Sequence, residues 1–150
     1  MKRIILQILI LMGLAVVAGF ATKEFHPYAP AMYLVVSPAG EGEVLADDAL
    51  IWHRKELVVW IDARKLERYE KRHAPEAFLL NEYDFDEQLF EIYADLANLS
   101  DKRFIVYCDA EDCKASHVIA DALRDRGFQE VYVLKGGWRA LEPALDKANL

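Results

Sequence analysis

The sequence is poor in cysteine, glycine and proline and short of basic residues, and each shortage removes a class of protein. Two cysteines in 150 residues cannot build the disulfide framework of a small secreted scaffold, so their meaning depends on where Cys108 and Cys113 stand. Seven glycines and five prolines, beside 54% hydrophobic residues, exclude a disordered chain and leave enough apolar side chains for one ordinary core. Lysine and arginine number 18 against 25 aspartate and glutamate, a formal net charge of -7. That balance offers no footprint for a phosphate backbone and argues against nucleic acid as a partner. No internal repeat or low-complexity segment is visible.

What is present begins with an apolar run from Ile4 to Ala21, broken only by Gln7 and preceded by Lys2 and Arg3. Two readings stand: a transmembrane helix that stays in place, or a signal peptide cut after the small residues Gly19 and Ala21. In both, the basic end stays in the cytoplasm and the remainder faces the outer, periplasmic side. No cysteine lies near the run, which excludes a lipid-modified cysteine as the anchor. The sequence therefore divides into this segment (1–21), a linker (22–44) stiffened by Pro27 and Pro30, a folded domain (45–142) and a short C-terminal tail (143–150).

Past the linker, apolar strand-like runs alternate with amphipathic stretches. Ala31 to Val36, Leu57 to Ile61, Ala77 to Leu80, Phe104 to Tyr107 and Val131 to Leu134 read as strands. Helices are expected to start near Asp47 and to cover Ala63 to Arg72, Phe85 to Leu99 and Ser116 to Arg126. Phe85, Leu89, Tyr93, Leu96 and Leu99 give the clearest helical stripe, and Gly127 suits a helix end in a left-handed turn. Strands apolar throughout and separated by helices predict an α/β fold, a central parallel sheet covered on both faces.

In such sheets ligands sit beyond the carboxyl ends of the strands, and Cys108 falls there. It follows the strand Phe104 to Tyr107 and opens the loop Asp109, Ala110, Glu111, Asp112, Cys113, Lys114 that leads into a helix. Free N–H groups at a helix start favour a thiolate, so the position suits a nucleophile.

These segments resemble the rhodanese-like domain family. Val59 to Arg64 looks like its strand ending in Asp-x-Arg, His73 to Ala77 like its His-x-Pro-Gly-Ala turn, and Ile105 to Cys108 like the strand ending in the active cysteine. Val131 to Trp138 is similar to the closing strand with two glycines and an aromatic. The resemblance implies a three-layer α/β/α sulfurtransferase fold in which Cys108 takes a sulfane sulfur as a persulfide and passes it to a thiol acceptor. Donor and acceptor would be small molecules or proteins, and no metal or organic cofactor is implied. The loop Asp109 to Cys113 would cradle the persulfide with its backbone N–H groups. It departs from the family's pattern: Glu111 stands in place of a glycine and Cys113 in place of an arginine. In the turn, Glu76 replaces the usual glycine.

Three acids in that loop, Asp109, Glu111 and Asp112, oppose thiolate formation, while the helix start favours it by about 0.3 to 1 kcal/mol. The net effect on Cys108 stays open, but small dianionic donors are expected to bind poorly. Cys113 adds a second chemistry as a resolving thiol or as the other half of a resting disulfide. The alternative to an enzyme is thus a redox or inactive module that serves protein interaction at the membrane. Cys108, Cys113 and His117 would give three soft metal ligands, but no fourth is visible and no metal is assigned. Lys114, six residues after Cys108, replaces the arginine by which phosphatases of this architecture hold phosphate. Asp62 and Arg64 are expected to pair and hold loops together, and Trp138, His53 and His73 to serve packing.

Overall fold

The computed structural model describes residues 39–109 and 114–150, together with Arg3, Gln7, Met12 and Leu14. Most of the apolar run, the strand expected over Ala31 to Val36, and Ala110, Glu111, Asp112 and Cys113 lie outside the described residues. The chain divides into two units, Met1–Val36 and Ser37–Leu150. In the first, the four described residues are helical. Among the described residues no helix is long and apolar enough to cross a membrane.

The second unit is built on five parallel strands: β1 (Glu43–Val44), β2 (Val58–Asp62), β3 (Phe78–Leu79), β4 (Arg103–Tyr107) and β5 (Val131–Leu134). They lie in the order β1-β5-β4-β2-β3. Parallel neighbours cannot be joined by tight hairpins, so the connections carry helices. These are α1 (Ala46–His53), α2 (Leu66–Lys71), α3 (Phe85–Asn98), α4 (Lys114–Asp125) and α5 (Gly137–Ala148).

Alternation along the strands sorts the core into two layers. Val59, Ile61, Phe104, Val106, Val131 and Val133 face one way, against Leu89 and Leu96 of α3 and Ile119, Ala120 and Leu123 of α4. Trp60, Ile105, Tyr107 and Leu134 face the other way, against Leu50 of α1 and Leu141 and Leu145 of α5. Because both faces are covered, β2 and β4 read as unbroken apolar runs and lack the alternation of a half-exposed strand.

Several expected boundaries move. In α3, Leu89 and Leu96 are buried, but Tyr93 is 47% exposed and Ile92 packs against the core instead. The helix expected over Ala63 to Arg72 is confined to Leu66–Lys71 and buries no residue. Its missing start has a local cause: the backbone N–H of Arg64 donates to Asp62 Oδ1 at 2.9 Å, a side-chain turn that competes with helix formation. β1 was hidden in the glycine-rich stretch, where Val133 N donates to Gly42 O at 2.9 Å and Lys135 N to Val44 O at 2.9 Å. α5 runs through Ala148, beyond the expected domain end at 142, and Leu145 within it is only 1% exposed.

His53 closes α1 over the core. Its Nδ1 accepts a hydrogen bond from Trp60 Nε1 at 3.1 Å, and burial holds its pKa below the usual histidine value. The unfolded chain therefore takes up this proton first as pH falls, so protonation favours unfolding. Stability is expected to decline below about pH 6.5, the ordinary histidine value, and to level off once the folded state is also protonated. Urea titrations at neutral and mildly acid pH, with His53→Asn losing less than the parent, check this.

Candidate active site

From β2 the chain moves outward to β3, and from β4 outward in the opposite direction to β5. The connections leaving the adjacent strands β2 and β4 therefore part in opposite directions at their carboxyl ends, the place where open parallel sheets bind ligands. Asp62 ends β2 there, and Cys108 follows β4.

Cys108 is 2% exposed and belongs to the layer under α3 and α4. Ser116, in the first turn of α4, points its hydroxyl at the Cys108 sulfur at 3.8 Å. The sulfur thus sits beside a helix start and next to a hydroxyl donor, both of which favour an anion on sulfur. The backbone of Cys108 is tied from the other side: Trp138 N donates to Cys108 O at 2.6 Å. Cys108 is disulfide-bonded and not a free thiol. The chain has one other cysteine, Cys113.

The Trp138 contact depends on the glycines before it. Gly136 has φ +81°, and a Cβ there would meet the Ala140 Cβ at 2.7 Å. Gly136→Ala combines a left-handed backbone, about 1 to 2 kcal/mol, with an overpacked contact, about 1 to 3 kcal/mol. A loss of roughly 2 to 5 kcal/mol is expected in urea unfolding.

Across the strand ends lies a buried ion pair. The Arg64 guanidinium donates from Nε to Asp62 Oδ1 at 2.9 Å and from Nη2 to Asp62 Oδ2 at 2.7 Å. Nη2 also donates to Arg72 O at 2.7 Å. The Tyr107 hydroxyl donates to Asp62 Oδ2 at 2.8 Å and accepts from Ala74 N at 3.1 Å. Burial and the Asp62 charge push the Tyr107 pKa up, so it stays a donor. Burial alone would lower the Arg64 pKa, but the hydrogen bond and charge of Asp62 outweigh it and the net shift is upward. The Arg64 guanidinium lies over the Trp138 ring, 4.2 Å from its centre. The expected Asp62–Arg64 pair and the packing role of Trp138 are both found.

Beside this pair opens a cleft of 520 Å³ walled by Arg64, Arg68, Lys71, Arg72 and Arg139. Trp138 and the acids Asp109 and Glu142 complete the wall. Asp109 is exposed, and Lys114 is the exposed first residue of α4. Sequence reasoning weighed the loop acids against Lys114 and the helix start alone and missed this basic wall. Its signal was the density of cations in Arg64, Lys65, Arg68, Lys71 and Arg72, of which Arg68 and Lys71 stand three apart on α2. Ser116 was also missed as a partner of Cys108. Among the described residues no group of three or more His, Cys, Asp or Glu is placed to hold a metal.

The profile of the family described as "Rhodanese-like domain" matches residues 46–144. The chain belongs to the rhodanese-like domain family. No curated protein matches it. Among solved structures, a Bacillus halodurans protein is similar at 24% identity, with a TM-score of 0.57 over 68% of this chain and 72% of the other. A rhodanese-like domain from an Anabaena protein is 21% identical, with a TM-score of 0.52 over 70% of this chain and 76% of that one. A thiosulfate sulfurtransferase from Pseudomonas aeruginosa is 18% identical, with a TM-score of 0.55, and the match takes in 68% of this chain but 18% of that protein. These likenesses show the fold.

Within this rhodanese-like domain the altered turn has a left-handed residue. Glu76, standing where the resemblance puts a glycine, has φ +57°, a conformation that a side chain makes costly. His73 stacks on Tyr69 with ring centres 3.9 Å apart, and its Nδ1 lies 2.8 Å from Tyr69 O. His53 and His73 thus both serve packing.

Proposed function

We propose that this rhodanese-like domain is a sulfurtransferase in which Cys108 carries sulfane sulfur, with Cys113 as its disulfide partner in the resting state. The observation that supports this is the placement of the Cys108 sulfur beside the first turn of α4, with the Ser116 hydroxyl at 3.8 Å. The Cys108 thiolate attacks the outer sulfur of a donor R–S–SH, the donor S–S bond breaks, and RS⁻ leaves. An acceptor thiolate then takes that outer sulfur and frees Cys108. Alternatively the Cys113 thiol attacks the inner sulfur, hydrogen sulfide leaves, and a Cys108–Cys113 disulfide forms that an external dithiol must reopen. Asp109, Ala110, Glu111, Asp112 and Lys114 form the loop that would cradle the persulfide. The apolar run Ile4 to Ala21 would hold the domain at the outer face of a membrane.

Intact mass of the reduced protein, before and after a sulfane donor, tests this reading. A gain of one sulfur that disappears in Cys108→Ser is expected. A protein that never gains sulfur, but loses and regains two protons with redox state, would overturn it. That outcome would favour the second reading, a dithiol–disulfide module, which the disulfide-bonded state of Cys108 supports.

A further inference from the structure

The outer side of α3 carries a second apolar stripe. Phe85, Leu89, Ile92 and Leu96 face the core, whereas Phe90, Tyr93, Ala94 and Ala97 are all exposed, and Phe90 shows 86% of its surface. Spacings of three and four put these four on one helix face. They are not scattered surface residues: Phe90, Tyr93 and Ala94 join Leu89, Asp86 and Arg126 around a groove of 460 Å³. Its aromatic wall is held in place from behind. Tyr93 meets Phe128 edge-on with ring centres 6.1 Å apart, and Phe128 in turn packs on Phe104 at 4.9 Å. The Arg126 guanidinium lies over the Phe85 ring and donates to Asp86 Oδ1 at 2.9 Å, which commits the cation on the wall.

A line of acids runs beside the stripe. Glu87, Glu91 and Asp95 are exposed, stand one turn apart on α3 and make no ion pair among the described residues. Like charges four apart disfavour a helix, and α3 contains no lysine, arginine or histidine to answer them. An apolar stripe flanked by negative charge is complementary to an apolar stripe flanked by positive charge. From Asp86 to Ala97 the helix runs about 16 Å, long enough to take anchors at i, i+4 and i+7 of a second helix laid along it. A second copy of this chain supplies no answering charge: the same face brings three more acids and an arginine already paired with Asp86.

We propose that this face of α3 docks a basic amphipathic helix of a partner protein, with an aliphatic side chain seated between Phe90, Tyr93 and Arg126 and lysines or arginines ranged along Glu87, Glu91 and Asp95. Docking here is independent of sulfur carriage by Cys108. The probe is a short fluorescein-labelled helical peptide with leucines at i, i+4 and i+7 and lysines along one flank of them. It is titrated by anisotropy against the full chain in nanodiscs of zwitterionic lipid, with empty discs as the blank. Affinity is expected to fall roughly tenfold or more in Phe90→Gln, which removes the aromatic anchor, and also in Ala94→Lys, which puts a cation into the groove. Glu87→Gln/Glu91→Gln/Asp95→Asn is expected to bind roughly tenfold more weakly and with less dependence on salt. Neutralising three exposed acids of α1 and α2, helices on the opposite face of the sheet, as Asp47→Asn/Asp48→Asn/Glu70→Gln, is expected to change affinity less than about twofold. All the substituted positions are exposed, so the variants are expected to fold as the parent does. Equal loss in the two sets of acid variants would mean attraction to net charge alone, and unchanged affinity in Phe90→Gln would mean an unused groove; either overturns docking at α3. Self-association of the parent that Phe90→Gln abolishes, read by sedimentation, would overturn it in favour of a second copy.

Discussion

Asp62→Ala is expected to cost about 3 to 5 kcal/mol of folding stability, the usual penalty for stranding one partner of a buried ion pair. The Arg64 side chain is 3% exposed and Asp62 fully buried, so water cannot replace the lost carboxylate. Three further groups lose their arrangement at once: the Tyr107 hydroxyl, the Arg64 backbone N–H and, through Arg64, the cover over Trp138. Against a typical total of about 5 to 15 kcal/mol, this leaves a marginal protein. Urea midpoints measure the loss. Replacing both residues, Asp62→Leu with Arg64→Met, is expected to cost less than Asp62→Ala alone, because no unpaired charge is left buried. A double variant as unstable as the single one would show that geometry, and not charge, dominates the site.

Sulfur uptake is expected to depend on reductant in the parent and not in Cys113→Ser. A disulfide-bonded Cys108 has no thiolate to attack a donor, so the parent should take up no sulfur until a dithiol opens the bridge. If Cys113 is the other half, Cys113→Ser leaves Cys108 as a thiol from the start. It should then gain sulfur without reductant, as read by intact mass. The same variant should lose sulfur as hydrogen sulfide more slowly, since the resolving thiol is gone. A Cys113→Ser protein that still needs reductant would sink the pairing.

The fold was largely legible because its central strands are apolar on both faces: β2 and β4 differ by one or two residues from their expected bounds. The chemistry-bearing part was legible where neighbours in sequence are neighbours in space, as with the Asp62–Arg64 pair and with Cys108 at the head of α4. It failed where the deciding contact comes from afar. Ser116 reaches Cys108 only because β4 and α4 fold back on one another, and Arg139 joins Arg68 and Lys71 only through the return of α5. Weighing three loop acids against Lys114 therefore gave half the electrostatics of the region. β1 and α5 were missed for local reasons. Two residues of strand among glycines leave no periodic trace, and the Gly136–Gly137 pair looks like a loop until its left-handed backbone turns directly into a helix.

The sheet ends on both sides in strands of two residues, Glu43–Val44 and Phe78–Leu79. An exposed strand is a template on which another chain can add itself, and long flat edges are where aggregation begins. Here either margin offers an incoming strand only a couple of residue pairs. At the β1 margin, Lys135 Nζ pairs with Glu43 Oε2 at 3.1 Å, which sets charge beside the rim. Brevity thereby protects the domain against edge-to-edge polymerisation.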